Sequence, residues 1–154
     1  MGDFGNNHAL RASVALGGLG GLPPEEAMYF VRFHDDATAS LDGRHRYRLR
    51  VPPGGIPTDS FRSFSMYAPT ADSQRFFVDN PIGRYAIGDR TPGLVSNADG
   101  SLDIALQYDA PTDERLLANW LPAPAGPFQI ALRAYLPRAE LRGAVAKMPR
   151  IARD

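Results

Sequence analysis

The sequence predicts an all-β fold, a jelly-roll-like β-sandwich with short peripheral helices, on three observations. Several stretches alternate apolar and polar residues with period two, the pattern of a strand that buries one face. Glycine and proline, 15 and 14 of 154 residues, are spread along the chain and mark turns at intervals of about ten residues. Cysteine is absent, so no disulfide framework or thiolate-bound zinc supports the fold. An apolar core alone is sufficient at this length, because folding hides about 70% of the surface the unfolded chain exposes.

The elements follow in order. Residues 1–21 form a lead-in: Leu10, Val14 and Ala15, with Asn7 at the cap position, predict a short helix over 7–16, and Gly17, Gly18, Gly20 and Gly21 a hinge after it. Residues 22–150 form the single predicted domain and 151–154 a C-terminal tail. Residues 27–33 read as an aromatic strand, and Asp42-Gly43 as a turn. Over 44–51, His45, Tyr47, Leu49 and Val51 share one face, opposite Arg44, Arg46, Arg48 and Arg50. Pro52-Pro53-Gly54-Gly55 stops that strand. Further strands are predicted at 61–67, 75–79 and 84–87. Asn97-Ala98-Asp99-Gly100 turns the chain into 102–108, where Leu102, Ile104, Leu106 and Tyr108 oppose Asp103 and Gln107. Over 128–136, Phe128, Ile130, Leu132, Ala134 and Leu136 alternate with Gln129, Ala131, Arg133 and Tyr135. Residues 114–120 and 137–145 are at most helical turns.

Charge excludes several classes. Lysine plus arginine and aspartate plus glutamate are 17 each, so no net field draws the chain to nucleic acid or an anionic membrane. The apolar runs are too short to insert across a bilayer, and the opening MGDFGNN lacks the charged-then-apolar layout of a secretory leader. The basic residues are arginine except for Lys147, which favours planar, bidentate contacts with carboxylate or phosphate.

The motifs resemble the bacterial family called domain of unknown function 1214. The segment from Asn80-Pro81-Ile82-Gly83-Arg84-Tyr85 to Gly88-Asp89-Arg90-Thr91 is similar to its central signature. Asn97-Ala98-Asp99-Gly100, Asn119-Trp120-Leu121-Pro122, Gly126-Pro127-Phe128 and Arg133-Ala134-Tyr135-Leu136-Pro137 continue the likeness over about residues 20 to 150. Arg62, beside Phe61, departs from it where a tryptophan is expected. The resemblance implies a jelly-roll domain, often following a second all-β domain in secreted or periplasmic proteins, and it brings no activity with it.

Asn80, Arg84, Tyr85, Asp89 and Arg90 put two guanidinium groups, a carboxylate, an amide and a phenol into one short segment. Asp89 is the candidate catalytic acid/base; the alternative makes it a structural carboxylate locked by Arg84 or Arg90. Asn119 and Trp120 form a second candidate, the indole either exposed to a ligand or plugging one end of the sandwich. Arg133 and Tyr135 share a strand face and are able to line a pocket beside that indole. The stripe Arg44, Arg46, Arg48 and Arg50 reads as a solvated, edge-protecting strand neutralised by cross-strand acids. No metal or cofactor is predicted. His8, His34 and His45 lack zinc spacing, no serine sits in a nucleophile elbow, and no glycine-rich loop has phosphate-cradling form.

Three functions fit these residues. The first is a non-catalytic module binding a small anionic or saccharide ligand, or packing on a companion all-β domain. The second is a hydrolase or isomerase in which Asp89 is acid/base and Arg84, Arg90 and Arg133 hold an anionic substrate. The third is a structural homo-oligomer. Convergence of Asp89, Arg90, Asn119 and Arg133 on one concavity would favour ligand binding or catalysis; closure in internal hydrogen bonds would favour structure.

Overall fold

A computed structural model of the chain describes residues 4–17, 21–143 and 149–154. Strands β1 (Ala27–Arg32), β2 (Tyr47–Val51), β3 (Arg62–Pro69), β4 (Arg75–Phe76), β5 (Ala86–Gly88), β6 (Leu102–Gln107), β7 (Trp120–Pro122), β8 (Gln129–Tyr135) and β9 (Arg150–Arg153) form two sheets. The first runs β1-β8-β3, with β4 and β5 both pairing to β3. The second runs β7-β6-β2-β9, antiparallel except for the β6–β7 pair. The predicted all-β sandwich is therefore the fold, and helices α1 (His8–Gly17), α2 (Glu114–Ala118) and α3 (Ala139–Gly143) are short.

The alternation sets which side chains meet between the sheets. From the second sheet, Tyr47, Leu49, Ile104, Leu106 and Ile151 point inward; Phe64, Met66, Ile87, Ile130 and Leu132 meet them from the first. Each such buried side chain contributes roughly 1.5–3 kcal/mol. Asn7 caps α1 as predicted, its Oδ1 accepting the Leu10 N–H at 2.9 Å. Residues 18–20 of the predicted hinge and 144–148 of the last predicted helical turn lie outside the described residues.

The structure departs from expectation at several places. Residues 151–154 are not a tail: Ile151 is fully buried and β9 pairs with β2 from Tyr47↔Arg153 to Arg50↔Arg150. Consequently β2 lies between β6 and β9, and the arginine stripe protects no edge. It is neutralised by acids, however, through Arg44–Asp42 at 2.6 Å, Arg48–Asp154 at 3.2 Å and Arg50–Asp99 at 2.9 Å. β6 is buried on both faces, Asp103 and Gln107 included, because α2 packs beside it. The strand over 128–136 stops at Tyr135, since Leu136 turns to φ 48° and leaves its side chain half-exposed. The predicted strand over 75–79 shortens to β4, and the one over 84–87 moves forward into β5.

Candidate functional site

The Asn80–Asp89 segment is held by its own polar groups. Asn80 Nδ2 donates to the carbonyls of Val78 (3.0 Å) and Arg84 (3.1 Å), while Asn80 Oδ1 accepts the Arg84 N–H at 2.9 Å. The amide thus closes the turn in which Gly83 takes φ 60°. Arg84 reaches the other sheet, its Nη1 donating to the carbonyls of Ala118 (2.8 Å) and Trp120 (2.9 Å). It is bound to α2 and β7 and makes no ion pair with Asp89. Tyr85 lies at the rim, tilted against Phe77 with ring centroids 5.4 Å apart.

Asn119 and Trp120 are internal. Asn119 is fully buried: its Nδ2 donates to the carbonyls of Val95 (2.8 Å) and Asp103 (3.0 Å), and its Oδ1 accepts the Val95 N–H at 2.9 Å. It therefore satisfies both backbone groups of Val95, in a crossing loop, and the carbonyl of Asp103 in β6. Trp120 is buried in β7, and its indole N–H donates to the Gln107 carbonyl at 2.9 Å. The indole does not meet Arg133 and Tyr135, which belong to the other sheet.

Arg133, Tyr135 and Arg90 lie on the outer face of the first sheet. Arg133 donates to Ser65 Oγ at 2.6 Å and to the Tyr67 hydroxyl, with its guanidinium over the Tyr67 ring. The Arg90 guanidinium sits 4.7 Å above Phe61, Phe61 stacks on Tyr135 at 4.4 Å, and Tyr135 meets Tyr29 edge-on at 6.1 Å. Tyr67 stacks on Phe77 at 4.9 Å. Asp89, Arg90, Asn119 and Arg133 thus occupy three separate places and do not converge.

Asp89 lines a concavity. The cavity, about 510 Å³, opens at one end of the sandwich, with Phe64, Ile87, Leu94, Leu102 and Ile104 among its apolar walls. Asp89 Oδ1 accepts the Arg62 N–H at 3.2 Å, and Asp89 Oδ2 stands 3.8 Å from Arg62 Nη1. Asp89 is thus held by Arg62, not by Arg84 or Arg90 as expected. The Arg62 guanidinium donates no hydrogen bond to a described residue. It lies across Gly55, at φ 76°, where a Cβ would run into its nitrogens; no other residue fits there without moving it. Thr91 Oγ1 accepts the Gly88 N–H at 2.9 Å and holds the turn that presents Asp89. Arg62 was not among the sequence-derived candidates; its one signal was its departure from the family pattern beside Phe61.

The solved VPA0106 protein of Vibrio parahaemolyticus is similar over 94% of this chain, at 26% identity and a TM-score of 0.77. An uncharacterised protein from Burkholderia cenocepacia is similar in fold over 86% of it, at 16% identity and a TM-score of 0.51. The chain covers 35% of the first of those chains and 30% of the second. No curated protein matches it. The family model described as a protein of unknown function, DUF1214, matches residues 26–139, most of the two-sheet sandwich, and the chain belongs to that family.

Proposed function

We propose that the chain is a non-catalytic binding module whose end cavity takes a small amphipathic anion. The observation that carries this reading is Arg62, a guanidinium lining a cavity of mixed polar and apolar walls, 3.8 Å from Asp89 and giving no side-chain hydrogen bond to a described residue. A planar guanidinium matches a carboxylate with two parallel hydrogen bonds, and the partly exposed Leu94 and Leu102 in the lining suit the ligand's hydrocarbon part. The volume falls within the roughly 300–1,000 Å³ common for small-molecule sites. Asp89 holds Arg62 by its backbone and places one negative charge beside the site, which disfavours multiply charged anions. The reading is non-catalytic because Arg84, Arg90 and Arg133, which an Asp89 acid/base mechanism requires nearby, are engaged elsewhere.

Calorimetric titration with straight-chain monocarboxylates from acetate to octanoate tests it. Affinity is expected to rise with chain length as methylenes enter the cavity, by up to about 0.8 kcal/mol for each one buried. Arg62→Met is expected to weaken octanoate binding by about tenfold or more, with an unchanged melting temperature. Equal binding by wild type and Arg62→Met would refute the assignment.

A further inference from the structure

Arg62 and Asp89 set opposite charges side by side in the lining of the end cavity. Arg62 Nη1 and Asp89 Oδ2 stand 3.8 Å apart, outside the ~2.7–3.2 Å range of a hydrogen bond. Asp89 Oδ1 accepts the Arg62 backbone N–H, whereas Oδ2 accepts no hydrogen bond from a described residue. The two side chains are 24% and 25% exposed, so a ligand reaches both and water only partly shields them. The other lining residues, Thr91, Ser96, Leu94 and Leu102 among them, carry no charge. The lining therefore has no net charge, and a lone carboxylate on Arg62 leaves Asp89 uncompensated beside it.

We infer, on the reading of this cavity as a carboxylate site, that the carboxylate it takes carries an ammonium group on the neighbouring carbon: the ligand is a free α-amino acid with an apolar side chain. In such a molecule the nitrogen and the carboxyl carbon are about 2.5 Å apart. A carboxylate bonded to the Arg62 guanidinium thus brings the ammonium group within hydrogen-bond range of Asp89 Oδ2. Neither contact breaks a hydrogen bond already made, and each charge of the lining meets its opposite. The apolar side chain lies along Leu94 and Leu102, the partly exposed apolar part of the lining. Within a peptide both charged groups are consumed as amides, and a chain terminus retains one of them, so a free amino acid fits better than a peptide.

Calorimetric titration of the full chain with both enantiomers of norleucine, beside hexanoate of equal chain length, tests the assignment. The better-bound enantiomer is expected to bind about tenfold or more tightly than hexanoate, and its N-acetyl and amide derivatives to lose that advantage. Asp89→Asn keeps an oxygen for the Arg62 N–H and is expected to move the two ligands in opposite directions, norleucine about tenfold weaker and hexanoate tighter. A purely structural role for Asp89 would weaken both, and that result overturns the inference. Hexanoate bound with norleucine no tighter overturns the amino-acid assignment and leaves the carboxylate site standing; neither ligand bound overturns both. Equally tight binding of the corresponding hydroxy acid also overturns it, since Asp89 would then be taking a neutral donor. Should Asp89→Asn fail to fold, the acetylated and amidated ligands decide.

Discussion

On the outer face of the second sheet, Arg48 and Arg50 reach aspartates at 3.2 and 2.9 Å. On the outer face of the first, Arg90 and Arg133 lie over aromatic rings and form no ion pair with a described carboxylate. Residue type is the same on both faces, and the company differs. Exposed ion pairs spend their charge on each other and add little stability. The Arg133 guanidinium gives donors to Ser65 Oγ and the Tyr67 hydroxyl, whereas that of Arg90 gives none to a described residue. Beside the second sheet, Arg84 and Asn119 form a third arrangement, with their side chains committed to backbone carbonyls and an N–H. The contrast separates a face whose arginines are paired with carboxylates from one whose arginines lie over rings.

The largest test of that contrast is Asn119→Ala. It strands the Val95 N–H and the carbonyls of Val95 and Asp103 without their partner. At ~1–3 kcal/mol for each stranded group, the loss is expected to be about 3 kcal/mol or more in urea unfolding. A loss below about 1 kcal/mol would mean that this side is not closed by the amide.

Arg84→Ala removes a charged donor from two carbonyls and is expected to cost about 2 kcal/mol in the same measurement. Carboxylate binding at the end cavity should be retained, because Arg84 does not line it. Lost binding with little loss of stability would reverse the assignment of the two regions.

Gly55→Ala adds a Cβ at φ 76° and against the Arg62 guanidinium, and is expected to cost about 1 kcal/mol. Its stronger effect should be on octanoate affinity, since the guanidinium has to move.

The smallest effects belong to the aspartate-paired stripe. Arg44→Gln, whose guanidinium is mostly exposed, is expected to shift the urea midpoint less than any substitution above. Asp42, which accepts hydrogen bonds from the Arg44 guanidinium and backbone, has its pKa lowered from 3.8 to about 2. Its depressed folded-state value means that its stabilising contribution is full above pH 3.8 and disappears as pH falls through about 2. Asp42→Asn should therefore be slightly less stable than wild type at neutral pH and indistinguishable from it at the acid end. A difference that persists in acid would show that Asp42 acts through something besides its charge.

Several of these features were legible in advance. The alternation of Tyr47, Leu49 and Val51, and of Ile130, Leu132 and Ala134, placed two central strands because a face buried along one strand leaves a local trace. β7 and β9 left none: three and four residues are too few to establish a period, and pairing with β6 and β2 is what makes them strands. Asn80 and Asn119 carried the same chemical promise in the sequence. Asn80 closes a turn of near neighbours, whereas Asn119 is committed to a loop 24 residues away. Arg62 leaves no such trace, since much of its cavity is built by segments distant from it in the chain, from Ile87 to Ile104.

What the sequence alone determined was the class of fold: alternating side chains, turn residues and a cysteine-free core of sufficient size admit a β-sandwich and exclude a disulfide scaffold. Tertiary structure decided which arginines are spent and which remain available. A guanidinium side chain takes its role from whatever carboxylate, carbonyl or ring the other strands bring within a few ångströms, and those neighbours are set by sheet pairing between distant segments.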